Sequence, residues 1–332
     1  MLLTELPFEI LLNIFERLEF EDKVRAGYVC KLFHVLYIDS TIELTPDSEE
    51  LPPNSYLISL PRLTCLDLTY NSVIGDSSIY CLPNLTKLTL RTNNTITDLS
   101  MQTLTNLTYL DLIDEYIISD SSVSCLTQLV HLGLYDHYIL TDSSISCLVQ
   151  LTELQLHYNY GISDSSMFCL TNLVKLELNG NCSVTDSSMS CLTNLTQLGL
   201  YNDKVITSSG ISCLIQLTEL VLIGHSLITD SGVCCLTNLV SLNLYRNKAI
   251  TDTNLFGLTN LTSLNLSWTS GITDSSVSCL TNLTKLNLGW NNVVTDSSVS
   301  RLTNLVSLDL RGNWKITDLS VSCLNNIDKL KL

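Results

Sequence analysis

The pair Leu66-x-Leu68 returns at Leu88/Leu90, at Leu110/Leu112 and at every twenty-second residue onward to Leu330/Leu332, without one insertion. That is twelve periods and thirteen copies of one short segment, spread over 264 of the 332 residues. A fixed period of this length implies a stack of like units, each touching its neighbours, and excludes a mosaic of unrelated compact domains. Alternating leucines place two apolar side chains on one face of a strand and the residue between them on the other. One such strand cannot bury its face alone, so the units must stack.

A typical unit starts at Leu283 and reads Leu-Thr-Lys-Leu-Asn-Leu-Gly-Trp-Asn-Asn-Val-Val-Thr-Asp-Ser-Ser-Val. It contains Leu-x-x-Leu-x-Leu-x-x-Asn and so resembles the leucine-rich-repeat family over about four-fifths of the chain. The fold class expected is α/β: a leucine-rich-repeat solenoid, or horseshoe, with a concave parallel β-sheet and short convex helices or 3₁₀ turns. Seven columns are mainly apolar, represented by Leu129, Leu132, Leu134, Leu140, Ile145, Cys147 and Leu148. They account for most of the 45% hydrophobic content without a cofactor pocket.

Three polar columns read as scaffold. Asp76 and its successors recur at all but one repeat, where Ser208 stands instead. Aspartate is a favoured helix N-cap, so each is expected to start a convex turn. A calcium site is disfavoured because each unit offers one carboxylate, whereas calcium takes six to eight oxygens. The Asn84 column, filled elsewhere by Asn or Gln, is expected to pair backbone groups where the turn enters the strand. Nine of the thirteen cysteines share the column of Cys81 and Cys147 and are expected to pack as small hydrophobes. No Cys-x-x-Cys pair suggests zinc, so no metal and no cofactor are expected, and free thiols fit a cytoplasmic or nuclear setting.

Residues 6–38 are different. Leu6-Pro7-Phe8-Glu9-Ile10-Leu11 opens a helix whose apolar face continues through Ile14, Phe15 and Leu18, with Pro7 suited to its first position. Two short helical pieces fit around 21–27 and 28–38, and the segment closes Val29-Cys30-Lys31-Leu32-Phe33. This segment resembles the F-box, and the whole chain resembles the F-box/leucine-rich-repeat proteins. The resemblance implies an N-terminal helical F-box at 1–38 that docks on a Skp adaptor, and through it on a cullin-RING ligase. Carried over to this chain, Leu6, Pro7, Ile10, Leu11, Ile14 and Leu18 would bury in that interface, while Val29, Cys30 and Phe33 would help form the small core. Residues 39–60 read as an acidic linker or degenerate capping repeat, with Ile42-x-Leu44 lying 24 residues before the Leu66 pair, and 61–332 as the solenoid.

Comparison among the repeats separates scaffold from surface. The return segments barely vary, whereas the outward strand positions and the loop after them differ at nearly every unit. Candidate target-binding residues on strands are Tyr109, His131, Tyr135, His157, Tyr201 and Tyr245. Tyr158, Arg246, Trp268, Trp290, Arg311 and Trp314 complete the set at strand ends and in loops. Tyr, Trp and Arg dominate interface hot spots, although sheet-propensity filler would also place aromatic residues there.

The net charge of −16 excludes a phosphate-neutralising surface, so no nucleic acid is expected. No apolar stretch reaches the roughly 18 residues of a membrane helix. None of the five histidines has a paired nucleophile, no Gly-x-x-x-x-Gly-Lys loop or His-Glu-x-x-His occurs, and catalysis is not expected. The function expected is a non-catalytic substrate-recognition adaptor of an SCF-type ubiquitin ligase. An interaction scaffold whose F-box-like segment is only an end cap is the alternative. A composition rich in Asn, Ile, Tyr and Ser suggests an AT-rich protist or viral genome, the latter implying host cytoplasm.

Overall fold

The computed structural model describes residues 6–41, 43–44, 57, 60, 62–180, 183–225 and 227–332. They divide into two compact units, Met1–Gln150 and Leu151–Leu332. The first begins with α1 (Phe8–Glu16), α2 (Phe20–Gly27) and α3 (Lys31–Ser40). Five parallel strands follow: β1 (Glu43–Leu44), β2 (Cys65–Thr69), β3 (Lys87–Arg91), β4 (Tyr109–Ile113) and β5 (His131–Tyr135). The second unit carries β6 (Glu153–His157), β7 (Lys175–Asn179), β8 (Gln197–Tyr201) and β9 (Glu219–Ile223). Shorter strands complete it: β10 (Ser241–Asn243), β11 (Ser263–Asn265), β12 (Lys285–Asn287), β13 (Ser307–Asp309) and β14 (Lys329–Lys331). From β2 to β5 in the first unit, and from β6 to β14 in the second, one four-residue helical turn sits between successive strands, such as Asp98–Met101 or Asp274–Val277.

Pairing follows the period. Leu66 lies opposite Leu88, Leu88 opposite Leu110, and Leu242 opposite Leu264. The leucines of every pair from Leu66/Leu68 to Leu308/Leu310 are buried while their strand neighbours alternate outward, and only Leu330 and Leu332 are exposed. Each such leucine contributes roughly 1.5–3 kcal/mol on burial, so every repeat adds its own increment of core. At β1 the register is Leu44 opposite Leu66, a spacing of 22 residues. The expected alignment of the Ile42-x-Leu44 pair at 24 is thereby corrected; most of the rest of 39–60 lies outside the described residues.

The polar columns bind repeat to repeat. Most helical turns are capped by the residue before the aspartate, as where Thr97 Oγ1 accepts from Leu99 N and Thr273 Oγ1 from Ser275 N, whereas Gly75 and Thr229 make no such bond. The aspartate is the first helical residue, and its carboxylate faces the following repeat. Asp76 Oδ1 accepts from Thr97 N at 2.8 Å and Ser100 Oγ at 2.5 Å, while Oδ2 accepts from Thr97 Oγ1 at 2.7 Å. Asp120, Asp164, Asp252 and Asp274 repeat the arrangement. The expectation of a self-contained N-cap is thus corrected, because the smaller Thr or Ser hydroxyl already serves its own helix. Partial burial pushes these carboxyls up, but hydrogen bonds from the next repeat outweigh it and hold each below its ordinary value. The Asn84 column meets its expectation: Asn106 Nδ2 donates to Pro83 O at 3.0 Å and Asn282 Nδ2 to Thr259 O at 2.9 Å.

The column of Asn71 runs buried inside each unit. Asn71 Oδ1 accepts from Val73 N and Ile74 N, and Asn93 Nδ2 donates to Asn71 O, so one amide serves its own turn and its neighbour. Glu115, His137, Asp203 and His225 occupy the same column and are as buried as the asparagines.

The cysteine column faces outward. Cys81, Cys125, Cys147, Cys169, Cys191, Cys213, Cys235, Cys279 and Cys323 are all exposed. The expectation of buried thiols is therefore wrong, including for Cys147 as an apolar core position. A four-residue turn has only one inward side, and Ile145 and Leu148 already fill it. Several of these thiols donate to a carbonyl four residues back, as Cys125 Sγ does to Ser121 O at 3.6 Å.

Candidate functional site

The helical segment has an inside and an outside that the periodicity alone does not separate. Leu11 and Phe15 are buried with Leu36 and Tyr37, and the Phe15 ring meets Phe33 edge-on at 5.3 Å. Pro7 sits at the N-cap, one residue before its expected place, and its carbonyl accepts from Ile10 N and Leu11 N. Pro7, Ile10 and Ile14 line the outer face, with Ile10 51% exposed, while Leu6 and Leu18 are half-buried. Leu11 therefore belongs to the segment's own core. Val29 is 71% exposed, against its expected core role, and adjoins Tyr28, which is also exposed. Two apolar residues in the turn between α2 and α3 are the sequence signal that could have marked this second patch.

The repeat-face candidates fall into three clusters. In the first unit, the Tyr109 ring stacks on His131 at 4.0 Å, with Lys87 Nζ 4.2 Å above the tyrosine. Tyr109 Oη donates to Asp111 Oδ2, and His131 Nε2 lies 3.1 Å from Asp111 Oδ1. A Cβ at Gly133 would stand 2.1 Å from that Oδ1 and 2.9 Å from the Tyr135 ring, so glycine makes room for this cluster. His131 is nearly buried by it.

In the second unit, His157 faces Glu177 at 3.9 Å and Tyr201 at 6.3 Å between centroids, and Lys175 Nζ meets Glu177 Oε1 at 3.0 Å. The neighbouring His157 imidazole, ahead of Lys175, holds the Glu177 carboxyl below its ordinary value. Burial pushes the Tyr201 hydroxyl up.

The third cluster joins residues from four repeats. A groove of about 310 Å³ is lined by Tyr245, Asn265, Ser267, Trp268, Asn287, Gly289, Trp290 and Arg311. Trp268 and Trp290 stack at 5.2 Å, and the Arg246 guanidinium lies 5.5 Å over Trp268 and 5.1 Å over Tyr245. Asp309 holds the Arg311 fork at 2.6 and 3.0 Å. Trp314 is 69% exposed and outside the groove lining. Sequence reasoning missed Asn265 and Asn287; the Asn-Leu-x-Trp spacing would have marked both.

One backbone feature underlies these placements. The residue two places beyond the second leucine is left-handed in every repeat, from Tyr70 at φ 59° to Gly312 at φ 67°. Its N–H still reaches the next strand, as Trp290 N does to Arg311 O at 2.8 Å, while the chain turns away. Glycine suits this conformation, yet only Gly180, Gly224 and Gly312 use it. Tyr158 lies against Gly180 and Trp290 against Gly312, where an added Cβ would stand 2.6 Å from the ring.

The F-box-like family pattern matches residues 3–42, and the leucine-rich-repeat pattern matches 60–82, 169–192, 257–281, 279–302 and 301–324. An internalin, InlF of Listeria monocytogenes, superposes with a TM-score of 0.54 at 25% identity, covering 94% of each chain. A yeast Rad7–Elc1 complex supplies a further likeness, with TM-score 0.59 at 20% identity over 94% of this chain and 90% of that one. The functional domain of InlJ from L. monocytogenes, which includes a cysteine ladder, matches at 24% identity and TM-score 0.53, covering 81% of this chain and 57% of that one. No curated protein matches the chain. No helix among the described residues is long and apolar enough to cross a membrane.

Proposed function

Because this chain has the organisation of an F-box/leucine-rich-repeat protein, we propose that it is a substrate-recognition adaptor of an SCF-type ubiquitin ligase. Its helical segment binds a Skp adaptor, and thereby a cullin-RING ligase, while the solvent face of the repeats binds a protein target in the cytoplasm or nucleus. Both roles are non-catalytic. The yeast Rad7 neighbour, which was solved in complex with Elc1, is in keeping with a fold used for assembly.

The observation that carries the reading is the apolar outer face of α1. Three helices whose buried interior is little more than Leu11, Phe15, Leu36 and Tyr37 leave Pro7, Phe8, Ile10, Ile14, Tyr28 and Val29 exposed. Exposed apolar patches of this kind mark protein interaction sites. Pro7, Ile10 and Ile14 are the contact residues, Leu6 and Leu18 form the margin, and Leu11 supports the face from within.

The test is co-purification with a Skp adaptor after Ile10→Asp together with Ile14→Asp. Neither side chain is in the core, so the thermal transition is expected to stay within a few degrees of the parent while adaptor capture is lost. Undiminished capture would overturn the proposal. The end-cap reading draws on Arg62, whose Nη1 donates to Asp39 O at 2.6 Å and ties the helices to the first repeat.

A further inference from the structure

The charge of this chain is unevenly spread. Residues 241–332 hold eight basic and six acidic side chains, whereas the whole chain is at −16. Four of those six acids, Asp252, Asp274, Asp296 and Asp318, belong to the helix-side ladder. On the sheet face, Asp309 is held by Arg311. Arg246, Lys285, Lys329 and Lys331 are exposed there, with Lys285 level with Ser263 and Ser307, and Lys331 level with Asp309. The last repeats thus present a basic face in an acidic protein.

The groove lies in this face, and its floor donates. Asn265 Oδ1 accepts from Ser267 N, and Asn287 Oδ1 from Gly289 N, so the amide oxygens serve the backbone. What each amide has left to offer is its N–H₂. Along one edge run Arg246, Trp268, Trp290 and Gly312 in a continuous stack. Both tryptophans are exposed and left-handed, a conformation costing a bulky side chain about 1 kcal/mol or more that glycine avoids. Large aromatic side chains kept at strained, exposed positions beside a donor-lined basic groove fit a ligand that they cover.

We infer that this groove binds an extended acidic protein segment, its carboxylates or phosphates meeting Arg246, Lys285 and the amides, and an apolar side chain lying against Trp268 and Trp290. The inference rests on the adaptor reading and names the class of target. A peptide is favoured over a nucleic acid because a short segment meets only the local basic face. A long polyanion also meets the remaining residues, which carry the surplus of acid.

All three tryptophans are Trp268, Trp290 and Trp314, so tryptophan emission, excited at the red edge where tyrosine does not absorb, reports these repeats alone. Probes are twelve-residue peptides of glutamate around a central Pro-Leu, the same with glutamine for glutamate, one with two phosphoserines in place of glutamates, and a deoxythymidine dodecamer. The glutamate peptide is expected to change the emission saturably, with affinity falling about tenfold from low to moderate salt. The glutamine peptide is expected to do nothing. The phosphoserine peptide binding more tightly than the glutamate one assigns the anion as phosphate; equal or weaker binding assigns carboxylate, and either supports the site. Arg246→Ala should weaken binding about fivefold, and Trp290→Gly should abolish it with no loss of melting temperature. Silence of both acidic peptides, equal binding of the glutamine peptide, or tighter binding of the oligonucleotide overturns the inference. Skp capture is measured on the same preparation, so a failed groove with intact capture leaves the adaptor reading standing.

Discussion

Glu115 is the residue whose place in the fold is most at odds with its chemistry. It replaces an asparagine in the buried column, and burial raises its carboxyl to about 7 even though Asn93 N donates to Oε1. His137, in the next repeat of the same column, is driven by burial to about 4. Both are therefore neutral over much of the range near pH 6. A carboxyl whose folded value exceeds its unfolded one lends stability that is complete below about pH 4.5 and lost as pH rises through 7. The ladder aspartates have the opposite sign: their depressed values lend stability present in neutral solution and lost on acidification. Glu115→Gln should therefore gain stability over the parent progressively from about pH 4.5 to 7.5 and keep a constant advantage of up to about 3 kcal/mol above that. Thermal melts across this range check it; an unchanged slope in the variant would place the titration elsewhere.

At the scale of elements, the two kinds of helix do different work. The four-residue turns of the repeats are too short to hold themselves and depend on neighbours, since isolated helices of such length are not stable. Their aspartate ladder supplies that support, and it thins at two successive rungs: Gly210 stands where a serine would donate to Asp186, and Ser208 offers a single hydroxyl to Thr229 N with Gly232 in place of the next donating serine. α1, by contrast, has an inner and an outer face of nearly equal greasiness. Leu11→Ala is expected to destabilise the first unit by about 2–5 kcal/mol through a cavity, whereas Ile10→Ala should change stability by less than about 1 kcal/mol. Chemical denaturation of the two variants distinguishes them, and equal losses would mean that α1 presents no free face.

Across the whole molecule, stability should be close to a sum of repeat and neighbour terms. The end-cap reading and the adaptor reading then differ in what removal of residues 1–38 does. For an adaptor, the truncated chain keeps its repeat-face binding and loses Skp capture, with the melting temperature lowered only at the first transition. For an end cap, the repeats themselves unfold at lower temperature and the repeat face fails with them. Calorimetry of both chains, alongside the tryptophan titration, separates these outcomes.

The sequence by itself determined the period, the parallel register of 22, the burial of the leucines and the pairing role of the Asn84 column. These follow because each unit meets a copy of itself, so what is true of one local segment is true of its neighbour. It also marked the helical segment, since 33 residues with a consistent apolar face have few other uses. Tertiary structure alone decided that the cysteines face outward, because a four-residue turn has too little room inside for Ile145, Leu148 and a thiol together. It decided that Asp76 reaches across to Thr97 and Ser100 instead of capping its own turn, and that Leu11 is inside while Val29 is outside. Above all it chose which aromatic residues act together. Residues 22 apart become neighbours only when the stack forms, and Arg246, Trp268, Trp290 and Gly312 are one surface for that reason.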